Sequence, residues 1–247
     1  MTTTEFSNEF DIYFNSIATN NAPSIDLYEK SVYLTKAQLE IVKNFYTPAG
    51  NKYQTGFEGS AKRRTELQEL ILGAKSNIEI TSSDNIADNS QFFRIENNTF
   101  VIIQEQAKVS SSDKCVNGKY LDVVPKTYDE YNVQKDNPFK KPNDKLIWRL
   151  DYYSHVGGSK NVELISDYTI TEYKYRYLKN PEPIVLTNLS TLYPGESLSV
   201  DGVSTAQTCK LNISLHRQIL DRAVELALSD YEPGKLGPKV QLSTRNE

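Results

Sequence analysis

The chain of 247 residues has little of what catalysis and cofactor binding usually require. It holds two histidines, two cysteines, one tryptophan and one methionine. Neither His155 nor His216 has a Cys, Glu or second His at metal-ligand spacing, which argues against a zinc site. The 11 glycines form neither GxGxxG nor a Walker-type loop, so a nucleotide cradle is unsupported. No GxSxG elbow occurs, although a Ser-His-Asp triad assembled only in space stays open at this stage. The carboxylates Asp129 with Glu130 and Asp221 with Glu225 are spaced as helix-surface charges, the second pair offset by Arg217 and Arg222. A glycosidase-type dyad would need a cleft that no spacing reveals. The sequence therefore predicts no catalytic residue, no cofactor and no metal.

Other absences narrow the class further. Cys115 and Cys209 lie far apart with no CxxC, and read as reduced, partly buried thiols of a protein made in a reducing cytoplasm. No apolar run approaches membrane-spanning length, so no membrane partner is expected. The polar, acidic start MTTTEFSNEF does not read as a signal peptide. Charge of one sign is also missing. Lys and Arg total 28 against 32 Asp and Glu, for a net charge of −4 and a pI near 5.4. A dedicated DNA-binding protein would normally show a basic face and a high pI, and this pI is low. It is compatible with a wall along which duplex DNA slides, because strong phosphate contacts would hold the duplex in place.

What is present begins with residues 7–46, which read as two short amphipathic helices joined by an extended linker. Phe6, Phe10, Phe14 and Ile17 recur at steps of three and four and form one stripe. Thr35 followed by Gln38 has the pattern of a capping box and predicts the start of the second helix there. Leu39, Val42 and Tyr46 then line one side, with Ile41 and Phe45 beside them. Neither helix is long enough to be stable alone, so both must dock. A third helix is expected within 56–74, with Leu67, Leu70, Ile71 and Ala74 on its apolar stripe. Arg63 and Arg64 sit opposite, as a solvated face or, alternatively, a phosphate contact.

From Asn77 to about Leu186 the pattern is that of strands. Ile78–Thr81 alternates, and Phe92–Val109 predicts a hairpin turning at Asn97–Asn98. Thr127–Gln134 predicts a short helix, and Pro138 and Pro142 break the chain before a strand at 146–153. Gly157–Gly158 predicts a turn into a strand at 161–166. In Thr169–Leu178, Tyr173, Tyr175 and Tyr177 alternate with Glu172, Lys174 and Arg176. The tyrosine row has two readings: the packed face of an antiparallel sheet, or an aromatic strip for stacking sugars or bases. Residues 187–210, with Gly195 and Gly202, read as a loop ordered by a neighbour. A final helix is expected from Ile213 to Ser229. Its two adjoining stripes are Ile219, Ala223, Leu226 and Leu220, Val224, Ala227, an arc wide enough to pack on more than one surface. The tail beyond Asp230, with two prolines and two glycines, is expected to be extended.

Four stretches carry a family resemblance: NEFDIYFN, then NNAPSIDLYEKSVYLTKAQLEIVKNFY, TYDEYNVQKDNPFKKPNDKLIWRLDY (127–152) and LNISLHRQILDRAVELAL (211–228). In these the chain resembles a group of virion proteins of crAss-like bacteriophages, over nearly its whole length. The resemblance implies a structural, non-enzymatic ring protein of the head–tail connector. It implies a homo-oligomeric ring, twelve-fold to follow the portal, in contact with the portal and with neighbouring tail or ring proteins. Double-stranded DNA would pass through the lumen without sequence-specific binding.

The expected architecture is α+β, with N-terminal helices packed on an antiparallel β core and a C-terminal helix with an extended tail. The sections are residues 1–75 (helical), 76–210 (β-rich core), 211–230 (C-terminal helix) and 231–247 (tail), within one domain. Competing readings are another tail component, such as a hub, stopper or receptor- or glycan-binding part, and a phage enzyme acting in the host cytoplasm.

Overall fold

In the computed structural model, residues 1–18, 24–47, 56–76, 79–80, 87, 89–154, 159–192 and 197–231 are described. They run as α1 (Thr3–Ile17), α2 (Leu27–Tyr46) and α3 (Ala61–Glu66), then a 3-10 turn at Gln68–Leu70. The strands β1 (Ile71–Ser76), β2 (Glu79–Ile80), β3 (Ser90–Arg94), β4 (Thr99–Ser110) and β5 (Tyr120–Pro125) follow. Then come α4 (Tyr128–Gln134), β6 (Leu146–Ser154), β7 (Ser159–Ile165), β8 (Thr169–Lys179), α5 (Leu189–Leu192) and α6 (Ile213–Tyr231). The class is α+β, as expected. The chain divides into two compact units, one of residues 1–70 with 181–247, the other of residues 71–180.

The first unit is built from the amphipathic helices. Thr2 and Glu5 close a capping box that starts α1, the Thr2 amide donating to Glu5 Oε2 at 2.8 Å. Phe6, Phe10 and Phe14 are buried, as the periodicity predicts, while Ile17 is only half-buried. The second helix departs from its expected start. Asp26 and Glu29 form the capping box of α2, the Glu29 amide donating to Asp26 Oδ1 at 2.7 Å, so the helix begins well before Thr35. Its buried stripe is Leu34, Ala37, Ile41 and Val42, and Leu39 and Tyr46 lie at the half-exposed margin.

Thr35 and Gln38 are instead buried inside α2, where they hold a passing strand of chain. Thr35 Oγ1 donates to Ile184 O at 3.2 Å and accepts from the Ile184 amide at 3.1 Å. Gln38 Nε2 donates to Glu182 O at 2.7 Å, and Ser31 Oγ accepts from the Leu186 amide at 3.0 Å. Residues 31, 35 and 38 share a helix face by spacing. They supply the polar partners that an extended segment would otherwise seek in a sheet.

The expected helix over 56–74 is also corrected. It ends at Glu66, and Ile71 and Ala74 belong to edge strand β1. Both stripes of α6 are buried, and α6 packs against α1 and α2. Arg222 bridges Glu40 of α2 at 2.8 Å and Glu225 at 3.1 Å. Within the predicted loop 187–210, Val200 and Val203 exchange two 2.9 Å backbone hydrogen bonds around Asp201 and Gly202. Both of these central residues have positive φ, at 48° and 82°, the condition for a tight type I′ turn.

The second unit is one curled sheet of eight strands in the order β1-β8-β4-β5-β6-β7-β3-β2. It is antiparallel except for the parallel pair β5–β6, whose connection runs through α4. The predicted hairpin at Phe92–Val109 is corrected here. A turn does lie at 96–99, with the Thr99 amide donating to Glu96 O at 3.0 Å. However, β3 pairs with β7 and β2, whereas β4 pairs with β8 and β5. The curl brings strands that are distant in the order face to face. Phe93 of β3 lies 6.1 Å from Tyr173 of β8, and the Gln91 side chain accepts from the Ile170 amide at 2.5 Å. The interior holds Phe93, Ala107, Val109, Ile147, Val162, Leu164 and the three alternating tyrosines. On the outer face, α4 is capped by Thr127 and Glu130 and packs Tyr131 edge-on to Trp148 at 6.2 Å.

Candidate functional site

His216, Arg63, Arg64 and Glu130, singled out in the sequence, serve as structural partners. His216 is buried in the first turn of α6. Its Nδ1 lies 2.7 Å from the Met1 nitrogen, its Nε2 lies 2.9 Å from Leu211 O, and its ring lies 5.4 Å from Phe6. Burial holds its pKa below the usual histidine value. His155, Gly157–Gly158, Gly195 and the tail from 232 onward lie outside the described residues. Arg63 neither faces bulk water alone nor waits for phosphate. Its Nη1 donates to Asn44 O at 3.2 Å at the C-terminal end of α2, and its guanidinium stacks 5.0 Å from the Phe45 ring. Arg64 donates to Glu58 O. Glu130 is occupied in its capping box.

The tyrosine row is core within its unit. Tyr173, Tyr175 and Tyr177 are buried and stacked in sequence, with centroids 5.0 and 5.5 Å apart. Tyr175 Oη accepts from the Glu96 amide at 2.9 Å. Tyr173 Oη donates to Glu105 Oε2 at 2.6 Å, and Arg149 engages the other oxygen of Glu105. Burial raises the Glu105 pKa, against the opposing pull of Arg149 and Tyr173. No local pattern signals this buried Glu-Arg-Tyr network, because its members sit on β4, β6 and β8. Glu105 and Tyr173 are satisfied within the sheet interior, while Arg149 Nε makes no hydrogen bond and lies 3.1 Å from Oδ1 of the exposed Asp151. Among the described residues no cluster of His, Cys, Asp and Glu could hold a metal ion. No described helix is long and apolar enough to cross a membrane.

Among the described residues, two of the clefts have volumes of about 440 and about 410 Å³. The second opens beyond the end of the short strand β5 and is lined by Thr99, Ile102, Arg149, Asp151 and Lys160 among others. Lys160 reaches across it to Thr99 O at 2.7 Å. The side chains best placed to meet another molecule are apolar ones on the outside, chiefly Phe139, Val133, Ile213 and Ile12. Ile12 was visible in the sequence as an apolar residue off the α1 stripe. Phe139 was visible only as part of the Pro-bounded break before β6.

Comparison with known proteins bears on the whole chain. Residues 1–235 match the family described as phage tail ring protein 3/4. The chain is similar to "Ring protein 4/5" of Bacteroides phage crAss001, at 39% identity over 248 residues and 100% of both chains. It is also similar to "Ring protein 3" of the same phage, at 35% identity over 229 residues, 92% of this chain and 95% of that protein. With the family match spanning both units and both relatives covered over nearly their whole length, the chain belongs to the phage tail ring protein 3/4 family of crAss-like phages.

Proposed function

We propose that this protein is a structural, non-enzymatic ring component of the head–tail connector, assembled in the host cytoplasm and carried in the virion. Copies of the chain form a closed homo-oligomeric ring, twelve-fold to follow the portal. The ring bridges the portal and the adjacent tail or ring proteins, and double-stranded DNA passes through its lumen without sequence-specific contact. The observation that carries this reading is the family match over residues 1–235, which includes both units. The weakly acidic balance is compatible with it, because a chain without excess positive charge does not hold a sliding duplex by its net charge. No catalytic, cofactor or metal residue is assigned. Assembly is the mechanism: each protomer makes head-to-tail contacts with its neighbours, and the contacts act together once the ring closes. Residues 231–247 and the 187–210 segment are candidate contacts between subunits or tiers.

Electron microscopy of the purified full-length protein tests the reading. Closed rings with a central opening wide enough for duplex DNA are the expected result. A protein that stays monomeric at every concentration, and is absent from isolated connectors, would remove it. Of the competitors, a glycan-binding tail part loses its main support, since the tyrosine row meant to stack sugars faces the sheet interior.

A further inference from the structure

We infer that the turn at 137–141 is a docking knob, which seats Phe139 of one copy on the outer face of α1, around Ile12, of a second copy. This rests on the ring reading above and names two surfaces that meet in it. Phe139 is 93% exposed, an unusual position for a large apolar side chain. It is also held in place. The Asn137 amide donates to Gln134 O at 3.0 Å, and the Lys140 and Lys141 amides donate to Asn137 O at 3.1 and 3.0 Å. Asn137 Oδ1 accepts from the Phe139 amide at 3.0 Å, an N-cap that closes the turn on itself. Pro138 fixes the backbone at the first position of that turn, and buried Pro142 ends it. A preordered turn loses little conformational freedom on docking, which is the condition for an effective anchor.

The charge around the knob specifies its partner. Lys135, Lys140, Lys141 and Lys145 are exposed and make no ion pair with any described residue. With Asp136 and Asp144, residues 135–145 carry four positive and two negative charges, net +2. Helix α1 is the complement. It carries Glu5, Glu9 and Asp11 with no Lys or Arg, net −3, and while its phenylalanines face inward Ile12 is 64% exposed. Glu5 is exposed and Glu9 half-exposed, whereas Asp11 is engaged by Lys30 at 2.7 Å.

An aromatic anchor with a basic rim thus meets an apolar spot with an acidic rim, the usual arrangement of a hot spot and its surround. The phosphates of duplex DNA would engage the lysines but would offer nothing apolar to Phe139. Knob and acceptor are different surfaces, so the contact propagates around a ring when made head-to-tail, whereas a reciprocal pair would close at two copies and give no ladder beyond the dimer.

The test is cross-linking of the full-length protein with Cys115→Ser, carrying both Asp136→Cys and Asn8→Cys, exposed positions beside Phe139 and Ile12 that leave both anchors intact, using a short bis-maleimide. The expected result is a ladder of covalent multimers, with each single-cysteine variant giving at most a dimer. Lys140→Glu with Lys141→Glu, in the otherwise unchanged chain, is expected to weaken self-assembly about tenfold or more without moving the melting temperature. Adding Glu9→Lys, which leaves the Thr2–Glu5 capping box of α1 intact, restores part of it. If the unsubstituted protein assembles while the ladder is absent and the charge reversal has no effect, this contact is overturned and the ring reading stands. If the protein stays monomeric at every concentration and gives no ladder, both fall. Charge reversal that reduces retention on duplex DNA and leaves multimers intact also overturns the docking contact.

Discussion

Cys115 and Cys209 have the same side chain and opposite fates. Cys115 is exposed on a loop, whereas Cys209 is buried, which pushes its thiol up to about 11. The thiolate is the reactive form, so Cys209 is protected twice, by access and by protonation. In the folded protein, iodoacetamide should modify Cys115 alone, and denaturant should release the second thiol; peptide mass mapping reads the result. His216 gives a pH dependence with a definite sign. Burial and the neighbouring Met1 nitrogen hold its pKa below the ordinary 6.5. The unfolded chain therefore takes up a proton that the folded chain refuses. The stability this contributes is whole above pH 6.5 and is lost as pH falls through the depressed folded value. Urea midpoints measured at about pH 8 and about pH 5 should show this loss, and His216→Gln should flatten it.

At the scale of elements, α2 shows why a local signal can mislead. Asp26 with Glu29 and Thr35 with Gln38 both have the capping-box spacing, but only the first pair caps a helix. The second pair lies on the buried face and spends its polar atoms on residues 182–184. Thr35→Val keeps the side-chain volume and leaves both backbone groups of Ile184 without that partner. It should cost about 1–3 kcal/mol in chemical denaturation, the penalty of unsatisfied buried groups. If the urea midpoint does not move, this helix-to-strand docking is not a structural support. The tyrosine alternation of β8 was legible because period two is a property of any strand. The pairing of β3 with β7, which replaces the predicted hairpin, was not legible. A turn pattern reports a reversal of the chain and not which strand lies alongside.

For the whole molecule, the same physics that buries Phe6, Phe10 and Phe14 leaves Phe139 outside. A fully exposed Phe forgoes about 2 kcal/mol or more of burial, a cost that a binding partner can recover. Within the sheet, Glu105, Arg149 and Tyr173 spend most of their polar atoms on one another. Assembly needs rigid elements with apolar and charged features on separate surfaces. The expected closed ring in micrographs is the outcome that belongs to this scale, since no single protomer shows it.

The stripes of α1 and α6, the strand alternation of β8 and the absence of metal and nucleotide motifs were determined by the sequence itself. Each depends on residues within a turn or two of one another, where spacing and chemistry suffice. Only the tertiary structure decided that β5 and β6 run parallel, that Thr35 and Gln38 hold a strand, and that Glu105, Arg149 and Tyr173 meet. It also decided that Phe139 stands outside while the tyrosines of β8 stand inside. Periodicity states which side of an element is apolar. What covers that side is fixed by distant parts of the chain.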